Sequence, residues 1–140
     1  MSQRKGVALE KTHITEMVSH NLPYTVYEAR WIPTSRRFVV VGSRPRATGA
    51  LEVYRMETQS KTPVVKLMDI ETQSAIRCAT FAAADPIQRH VAVGQFDGTI
   101  ETYDLSGDKR AVFSHKVHTD VINAIDGGYA PGPSEIVCGS

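Results

Sequence analysis

The chain has 140 residues, a formal net charge of +1 and 41% hydrophobic residues, which is typical of a globular domain with its own core. This balance argues against binding to nucleic acid or a membrane through overall charge. The charge is uneven, however. Residues 1–50 carry eight Lys or Arg against three Asp or Glu, whereas residues 51–140 carry eight against twelve. One segment is therefore a candidate for attracting an acidic partner.

The beginning of the chain, from Met1 to Lys11, is polar and lacks the apolar run of a secretory signal. The apolar run from Phe38 to Val41 is far shorter than the roughly 20 residues of a membrane span. We therefore expect a cytoplasmic protein in which residues 1–12 are flexible. The segment from His13 to His20 is predicted to form a single leading strand.

Three kinds of strand are predicted to recur in the same order along the rest of the chain. The first kind alternates, the second is a β-branched run that ends in glycine, and the third opens with glycine and places tyrosine five residues later. The glycines that end the second kind are Gly42, Gly94 and Gly139, which lie 52 and 45 positions apart. A fourth, less regular strand fits at Val64 to Ile70 and at Ala111 to Ser114. A period of about 45–50 residues predicts the blades of a β-propeller.

Several of these segments resemble the repeats of the WD-repeat family. The stretch from Val117 to Ile122 resembles the Gly-His start of a repeat, with valine in place of the usual glycine. Gly94 to Ile100 resembles the Asp-Gly turn, and Tyr103-Asp104 stands where the Trp-Asp pair stands. The individual motifs are degenerate, but their order and spacing are specific.

The resemblance implies an all-β fold, an incomplete WD-repeat β-propeller of about two and a half blades of four-stranded antiparallel sheet. The partial propeller would occupy residues 13–140, with blade 1 at about 24–70, blade 2 at about 74–115 and the start of blade 3 at about 118–140. Because a propeller of this family closes by pairing its leading strand with its last blade, we expect an N-terminal fragment with open sheet edges. A ring assembled from several copies is the alternative.

A closer resemblance is to the family of WD-repeat dynein axonemal assembly factors. It rests on Trp31 to Ser35 followed by Phe38-Val39 in blade 1, and on Ile122 to Gly127 and Glu135 to Ser140 in blade 3. It implies a non-catalytic scaffold for protein–protein interaction, a co-chaperone adaptor in the cytoplasmic preassembly of the dyneins of cilia. The implied partners are a RuvB-like ATPase chaperone complex with a tetratricopeptide adaptor, and dynein-assembly clients. The alternative is a self-associating propeller fragment with a purely structural role.

Seven residues occupy structural WD-repeat positions by this resemblance. They are Trp31, Tyr54, Phe81, Asp97, Tyr103, Asp104 and His118. The four aromatic residues among them are predicted to pack between blades. Asp97 is predicted to stabilise its own turn through backbone N–H groups. His118 is expected to be solvent-exposed or unpaired, because the aspartate of its repeat would lie beyond residue 140.

Arginines are concentrated in one part of the first repeat. Arg30, Arg36, Arg37, Arg44 and Arg46 fall within seventeen positions, with no acidic residue among them. Because the planar guanidinium group binds carboxylates and phosphates, the last four are candidates for docking an acidic partner segment. Solvated loops are the simpler interpretation. Nucleic acid is less favoured because few aromatic residues lie between the arginines.

Other chemistry has little support in the sequence. Cys78 and Cys138 lie in apolar stretches and predict buried thiols in a reducing compartment. His115 and His118 have an H-x-x-H spacing but no third ligand, so no metal site is predicted. Ser114, His118 and Asp120 are close in sequence, but no nucleophile elbow or phosphate-binding loop occurs. We therefore predict no enzyme and no cofactor.

Overall fold

The structure is a computed structural model that describes residues 10–81, 90–128 and 135–140. Within these ranges it contains ten strands in three antiparallel sheets, and no helix. The strands of sheet 1 are β1 (Thr25–Trp31), β2 (Arg37–Ser43), β3 (Gly49–Met56) and β4 (Val64–Thr72). Those of sheet 2 are β5 (Ile76–Thr80), β6 (His90–Gln95), β7 (Thr99–Asp104) and β8 (Ala111–Lys116). A hairpin of β9 (Ala124–Gly127) and β10 (Ile136–Gly139) forms the third sheet. This all-β, incomplete propeller-like fold confirms the predicted fold class.

The main core lies between sheets 1 and 2. Each sheet is a meander whose strand order follows the chain. Successive side chains of a strand point to opposite faces, so every second side chain faces the neighbouring sheet. In sheet 1, Val39 and Val41 of β2 pair with Val53 and Leu51 of β3, and all four side chains face sheet 2. Burying one such side chain contributes about 1.5–3 kcal/mol. The two sheets are therefore held together chiefly by apolar contact across this layer.

A second, smaller core joins sheet 2 to the hairpin. Cys78, Ala92 and Ile100 of sheet 2 contact Ile122 and Ile125, and all five side chains are buried. The backbone N–H of Ile122 also donates to the carbonyl of Gln95 over 3.1 Å. The stacking direction from sheet 1 to sheet 2 thus continues to the hairpin.

The main correction to the predicted elements concerns the leading strand. No strand forms from His13 to His20, and no described strand pairs with that segment. The backbone groups of an isolated strand bond only to water, so no hydrogen bonds to a neighbouring strand stabilise a regular extended conformation. Instead it reaches sheet 1 through side chains, because the ring of His20 lies 5.6 Å from that of Tyr54. Of the flexible terminus predicted over residues 1–12, residues 1–9 lie outside the described residues.

The remaining strand predictions differ at their ends. The third repeat begins its first strand at Ala124 and not at Val121, because the backbone just before it bonds to the turn that ends β6. The fourth strands continue further than predicted, to Thr72 and Lys116. The division of residues 13–140 into blades stays a prediction, with residues 82–89 and 129–134 outside the described part of the chain.

Candidate functional site

Sheets 1 and 2 share a glutamate at the same place in their third strands. Glu52 and Glu101 each stand three residues after a glycine and two residues before a tyrosine. The side chain of Glu52 is buried and that of Glu101 is half-buried. Because strand side chains alternate, each glutamate and the tyrosine two residues later point to the same face of their sheet.

Glu52 is the acceptor at the centre of a polar network on the face of sheet 1 that points away from sheet 2. Its carboxylate accepts bonds from the hydroxyls of Tyr54 and Tyr24, the latter over 3.0 Å, and from the ammonium group of Lys66 over 3.1 Å. A guanidinium nitrogen of Arg44 lies 3.7 Å away. Such partners compensate the cost of burying a carboxylate. The network also ties the segment before β1 to sheet 1 through Tyr24.

Glu101 organises the equivalent network in sheet 2. It accepts bonds from the hydroxyl of Tyr103 over 2.5 Å, the side-chain amide of Gln95 over 2.6 Å and the hydroxyl of Ser114 over 3.3 Å. The repeated feature is therefore a glutamate that accepts a hydrogen bond from the hydroxyl of a tyrosine on its own strand. Neither glutamate is among the site residues predicted from the sequence. An acid repeated at the same position of two alternating strands, 49 residues apart, was the available signal.

Burial changes the acidity of several side chains in these layers. It raises the pKa of Tyr54 and Tyr103 far above the usual 10.0, and the bond that each donates to its glutamate adds to the effect. Burial also raises the pKa of the Cys78 thiol from 9.0 to about 11. All three groups are therefore kept protonated by the folded structure.

These shifts predict a protein that loses stability in alkali. The unfolded chain releases these protons at pH values of about 9 to 10, whereas the folded chain holds them, so the stabilisation is complete below pH 9 and is lost as pH rises. Between its unfolded and folded pKa, each group lowers the free energy of unfolding by about 1.4 kcal/mol per pH unit. Urea unfolding at about pH 8, 10 and 11 measures this slope. The variant Tyr103→Phe should show a shallower slope, and an unchanged midpoint up to pH 11 would contradict the prediction.

Glu28 and Tyr27 of β1 connect sheet 1 to sheet 2. The carboxylate of Glu28 accepts the backbone N–H of Ala79 over 2.7 Å, and also binds Arg30 over 2.6 Å. The ring of Tyr27 lies 5.4 Å from that of Phe96. The Glu28 bond satisfies a backbone group at the edge of β5, so the two edges are joined by a side chain.

The predicted packing aromatics lie in different places. Phe81 and Tyr103 lie in the core between sheets 1 and 2. Tyr54 is also buried, but it packs on the other face of sheet 1, against Phe38. Trp31 differs from these three, since it is 62% exposed and its ring contacts that of Phe38, so its predicted packing between blades stays a prediction. It is exposed because β1 is an edge strand and Trp31 points away from sheet 2.

The aspartates of the second repeat stabilise turns. The carboxylate of Asp97 accepts the backbone N–H of Thr99 over 3.0 Å, within its own turn, as the sequence suggests. Asp104 accepts the backbone N–H and hydroxyl of Ser106 over 2.9 and 2.6 Å. The hydroxyl bond is the main cause that holds the pKa of Asp104 below its usual value.

His118 is a correction, because it is neither exposed nor unpaired. It is half-buried, and its Nε2 lies 3.3 Å from the Sγ of Cys138. The backbone N–H of His118 donates to the carbonyl of Gly98 over 3.1 Å. These contacts place the histidine between the turn of sheet 2 and β10, so a residue 20 positions later provides the side-chain partner.

The predicted docking arginines do not form one patch. Arg36 and Arg37 lie at the start of β2, whereas Arg44 and Arg46 follow its end, about 23 Å away at 3.3 Å per residue. Arg44 is half-buried and bonds to Asp69 over 2.5 Å, so its charge is paired with a carboxylate of the same sheet. Arg36 and Arg46 are exposed. The correction follows from the strand geometry, which separates residues that are close in sequence.

Among residues 10–81, 90–128 and 135–140, no group of three or more His, Cys, Asp or Glu side chains is arranged to hold a metal ion. Within the same ranges, no helix is long and apolar enough to cross a membrane.

The fold and its networks define an all-β protein of stacked antiparallel sheets with side-chain networks that join successive strands. No protein-family model matches the chain. It is 40% identical over 136 residues to Dynein axonemal assembly factor 10 of Danio rerio, and 36% identical over 137 residues to the protein of that name from Homo sapiens. The protein of that name from Chlamydomonas reinhardtii is 36% identical over 134 residues. These matches cover 92–95% of the chain but only 37–38% of each relative's length.

Proposed function

We propose that this chain forms part of a WD-repeat propeller that acts as a non-catalytic scaffold in the cytoplasmic preassembly of axonemal dyneins, for cilia. The observation that carries the proposal is the similarity to dynein axonemal assembly factors over 94% of the chain. The finer part of the proposal is that, within this family, the chain resembles the WD-repeat protein Monad and acts as a co-chaperone adaptor. The partners that it implies are a RuvB-like ATPase complex with a tetratricopeptide adaptor, and dynein-assembly clients.

The geometry supports a binding role because rigid sheets present loops at their ends. The loop between β1 and β2 carries Arg36, which is exposed and forms no ion pair with the described residues. Arg37 follows at the start of β2 and lies opposite Arg55 of β3. Arg55 is paired with Glu57 over 2.5 Å, but Arg37, like Arg36, forms no ion pair with a described residue, so an acidic partner segment would provide the missing opposite charge. We therefore place the docking site at this end of sheet 1.

A hydrolytic role has no support from the residues considered for it. The hydroxyl of Ser114 donates to Glu101, and the Nε2 of His118 lies beside Cys138. The carboxylate of Asp120 accepts the backbone N–H of Val121. Each member of the candidate triad thus bonds elsewhere, which supports the non-catalytic proposal.

The proposal is tested by binding of the tagged 140-residue chain to the purified ATPase–adaptor complex, measured by biolayer interferometry. We expect saturable binding that Arg36→Glu with Arg37→Glu weakens about tenfold or more, because two attractive charges become repulsive. The effect should diminish as salt rises. If the unmodified chain does not bind this complex, the proposed partner is wrong.

A matched control is available in sheet 2. The double variant Lys109→Glu with Arg110→Glu makes the same change of charge at two exposed residues that are neighbours in the sequence, in the loop before β8. This variant should change the affinity by about twofold or less, because it lies on another sheet. Equal weakening by both pairs would show that net charge, and not the end of β2, determines binding.

A further inference from the structure

The loop between β3 and β4 contains the single serine or threonine of the chain that proline follows directly. The chain has seven prolines, and among them Pro63 follows Thr62, whereas the others follow residues without a hydroxyl group. Thr62 is exposed. Among the described residues, its hydroxyl contacts the hydroxyl of Ser60, over 3.4 Å. The Thr62 hydroxyl is therefore accessible to an enzyme that modifies it.

The backbone of this loop holds its tip outside the sheet. The N–H of Glu57 donates to the carbonyl of Pro63 over 2.8 Å, and residues 58–62 lie beyond the last strand pair, Met56 with Val64, and are exposed. A residue before proline is restricted to extended conformations, which is how proline-directed protein kinases bind their acceptor residue. Because the tip carries no core side chain, it can enter such an enzyme without disturbing the packing of sheet 1.

The loop lies beside the arginines at the start of β2. The N–H of Met56 donates to the carbonyl of Arg36 over 2.9 Å, and Met56 pairs with Val64, two residues after Thr62. The backbones at Arg36 and Pro63 are therefore about two strand spacings apart, roughly 10 Å. An arginine side chain and a phosphorylated threonine can together span that distance.

This end of sheet 1 has unpaired positive charge. Arg36, Arg37 and Lys61 form no ion pair with a described residue. The single acidic residue of the two loops, Glu57, is paired with Arg55 over 2.5 Å. A phosphate group on threonine carries a charge of about −1.5 to −2 at pH 7 and accepts two parallel bonds from a guanidinium group. A phosphate on this loop would therefore meet donors that no other described side chain neutralises.

We propose that Thr62 is a phosphorylation site for a proline-directed protein kinase, and that its phosphate binds Arg36 and Arg37. In the reaction, the Oγ1 of Thr62 attacks the γ-phosphorus of ATP. The bond between that phosphorus and the bridging oxygen breaks, ADP leaves, and the hydroxyl proton passes to the catalytic aspartate of the kinase. The phosphate then occupies the arginines that would dock an acidic partner segment, so phosphorylation closes the docking site. This last step rests on the proposed function, whereas the modification of Thr62 does not.

The modification is tested by incubating the 140-residue chain with a purified cyclin-dependent kinase and ATP. We expect one phosphate per chain, at Thr62 by tandem mass spectrometry, and none on the variant Thr62→Val. Pro63→Ala should lower the incorporation about tenfold or more, because the kinase discriminates by the residue after its acceptor. Thr58 and Ser60 are internal controls, since they lie in the same loop but do not precede proline. No phosphate at Thr62, or as much at Thr58 or Ser60, would overturn the proposal.

The contact with the arginines is tested by phosphorus NMR titration of the phosphorylated chain. A guanidinium group stabilises the dianion, so the second pKa of the phosphate should lie below its ordinary value of about 6. The double variant Arg36→Gln with Arg37→Gln should raise this pKa toward the ordinary value. Lys109→Gln with Arg110→Gln removes the same charge on sheet 2 and should leave the pKa lowered. If both double variants give the pKa of the unmodified sequence, the phosphate does not bind Arg36 and Arg37.

The effect on docking is measured with the purified ATPase–adaptor complex. We expect the phosphorylated chain to bind about tenfold or more weakly than the unphosphorylated chain, because the phosphate neutralises both arginines. If the unphosphorylated chain binds and phosphorylation leaves its affinity unchanged, the proposed regulation is wrong. If the unphosphorylated chain does not bind at all, the proposed partner is wrong, while mass spectrometry and the phosphorus titration still decide the phosphorylation site and its contact with the arginines.

Discussion

Replacing Glu52 with alanine is expected to lower the free energy of unfolding by about 2–4 kcal/mol. The change leaves the hydroxyl of Tyr54, whose side chain is 2% exposed, without its acceptor. It also removes the bonds from Tyr24 and Lys66, which hold the segment before β1 and the outer strand β4. The arginine and lysine beside the site can turn to water, so the tyrosines carry most of the loss. Urea unfolding at neutral pH measures the change.

Two further variants separate the network from simple loss of charge. Glu57→Ala removes a partly exposed carboxylate that pairs with Arg55 over 2.5 Å, and should cost less than about 1 kcal/mol. Glu52→Gln retains an acceptor oxygen and should lie between the unmodified chain and Glu52→Ala. An unfolding midpoint for Glu52→Ala equal to that of Glu57→Ala would show that the buried network contributes nothing.

Replacing Gly98 with alanine is expected to cost about 2–4 kcal/mol, because two penalties coincide there. The backbone has φ of +85°, a conformation that L side chains rarely adopt. The added Cβ would also lie 2.0 Å from the carbonyl oxygen of His118. That segment cannot move away freely, since the backbone N–H groups of Val117 and His118 donate to the carbonyl of Gly98 over 3.0 and 3.1 Å.

The effect should be local as well as global. Hydrogen exchange should accelerate most in β9 and β10, because the Gly98 turn holds the segment that leads into β9. Gly139→Ala is the control, since an added Cβ there has no heavy atom within 4 Å, and its cost should stay within about 0.5 kcal/mol. Equal stability of the two variants would contradict the steric argument.

Most of the strands follow from local sequence. The β-branched run before Gly42 and the similar run before Gly94 form β2 and β6, because alternation and branching favour strands whatever the neighbouring sheet. The segment from His13 to His20 shows the limit of this argument. Its composition permits a strand, but a strand also requires a neighbouring strand with free hydrogen-bonding groups, which composition does not reveal.

The candidate site was less predictable than the strands. Glu52 belongs to a residue type that is usually exposed, and the groups that donate to its carboxylate come from Tyr24, Tyr54 and Lys66 in three different parts of the chain. The prediction of a single arginine patch was wrong because these arginines are close in sequence but distant in space. Residues that are close in sequence were separated by the length of β2, and Arg44 found a partner in β4.

The sequence by itself determined the all-β class, the repeated order of strands and the turn of Asp97, because each depends on residues a few positions apart. Only the tertiary structure decided that Trp31 is exposed, that His118 lies beside Cys138 and that Glu52 is buried. Those outcomes depend on which face of a strand meets another sheet. Alternation defines two faces for every strand, but the stacking of sheets selects the one that is buried.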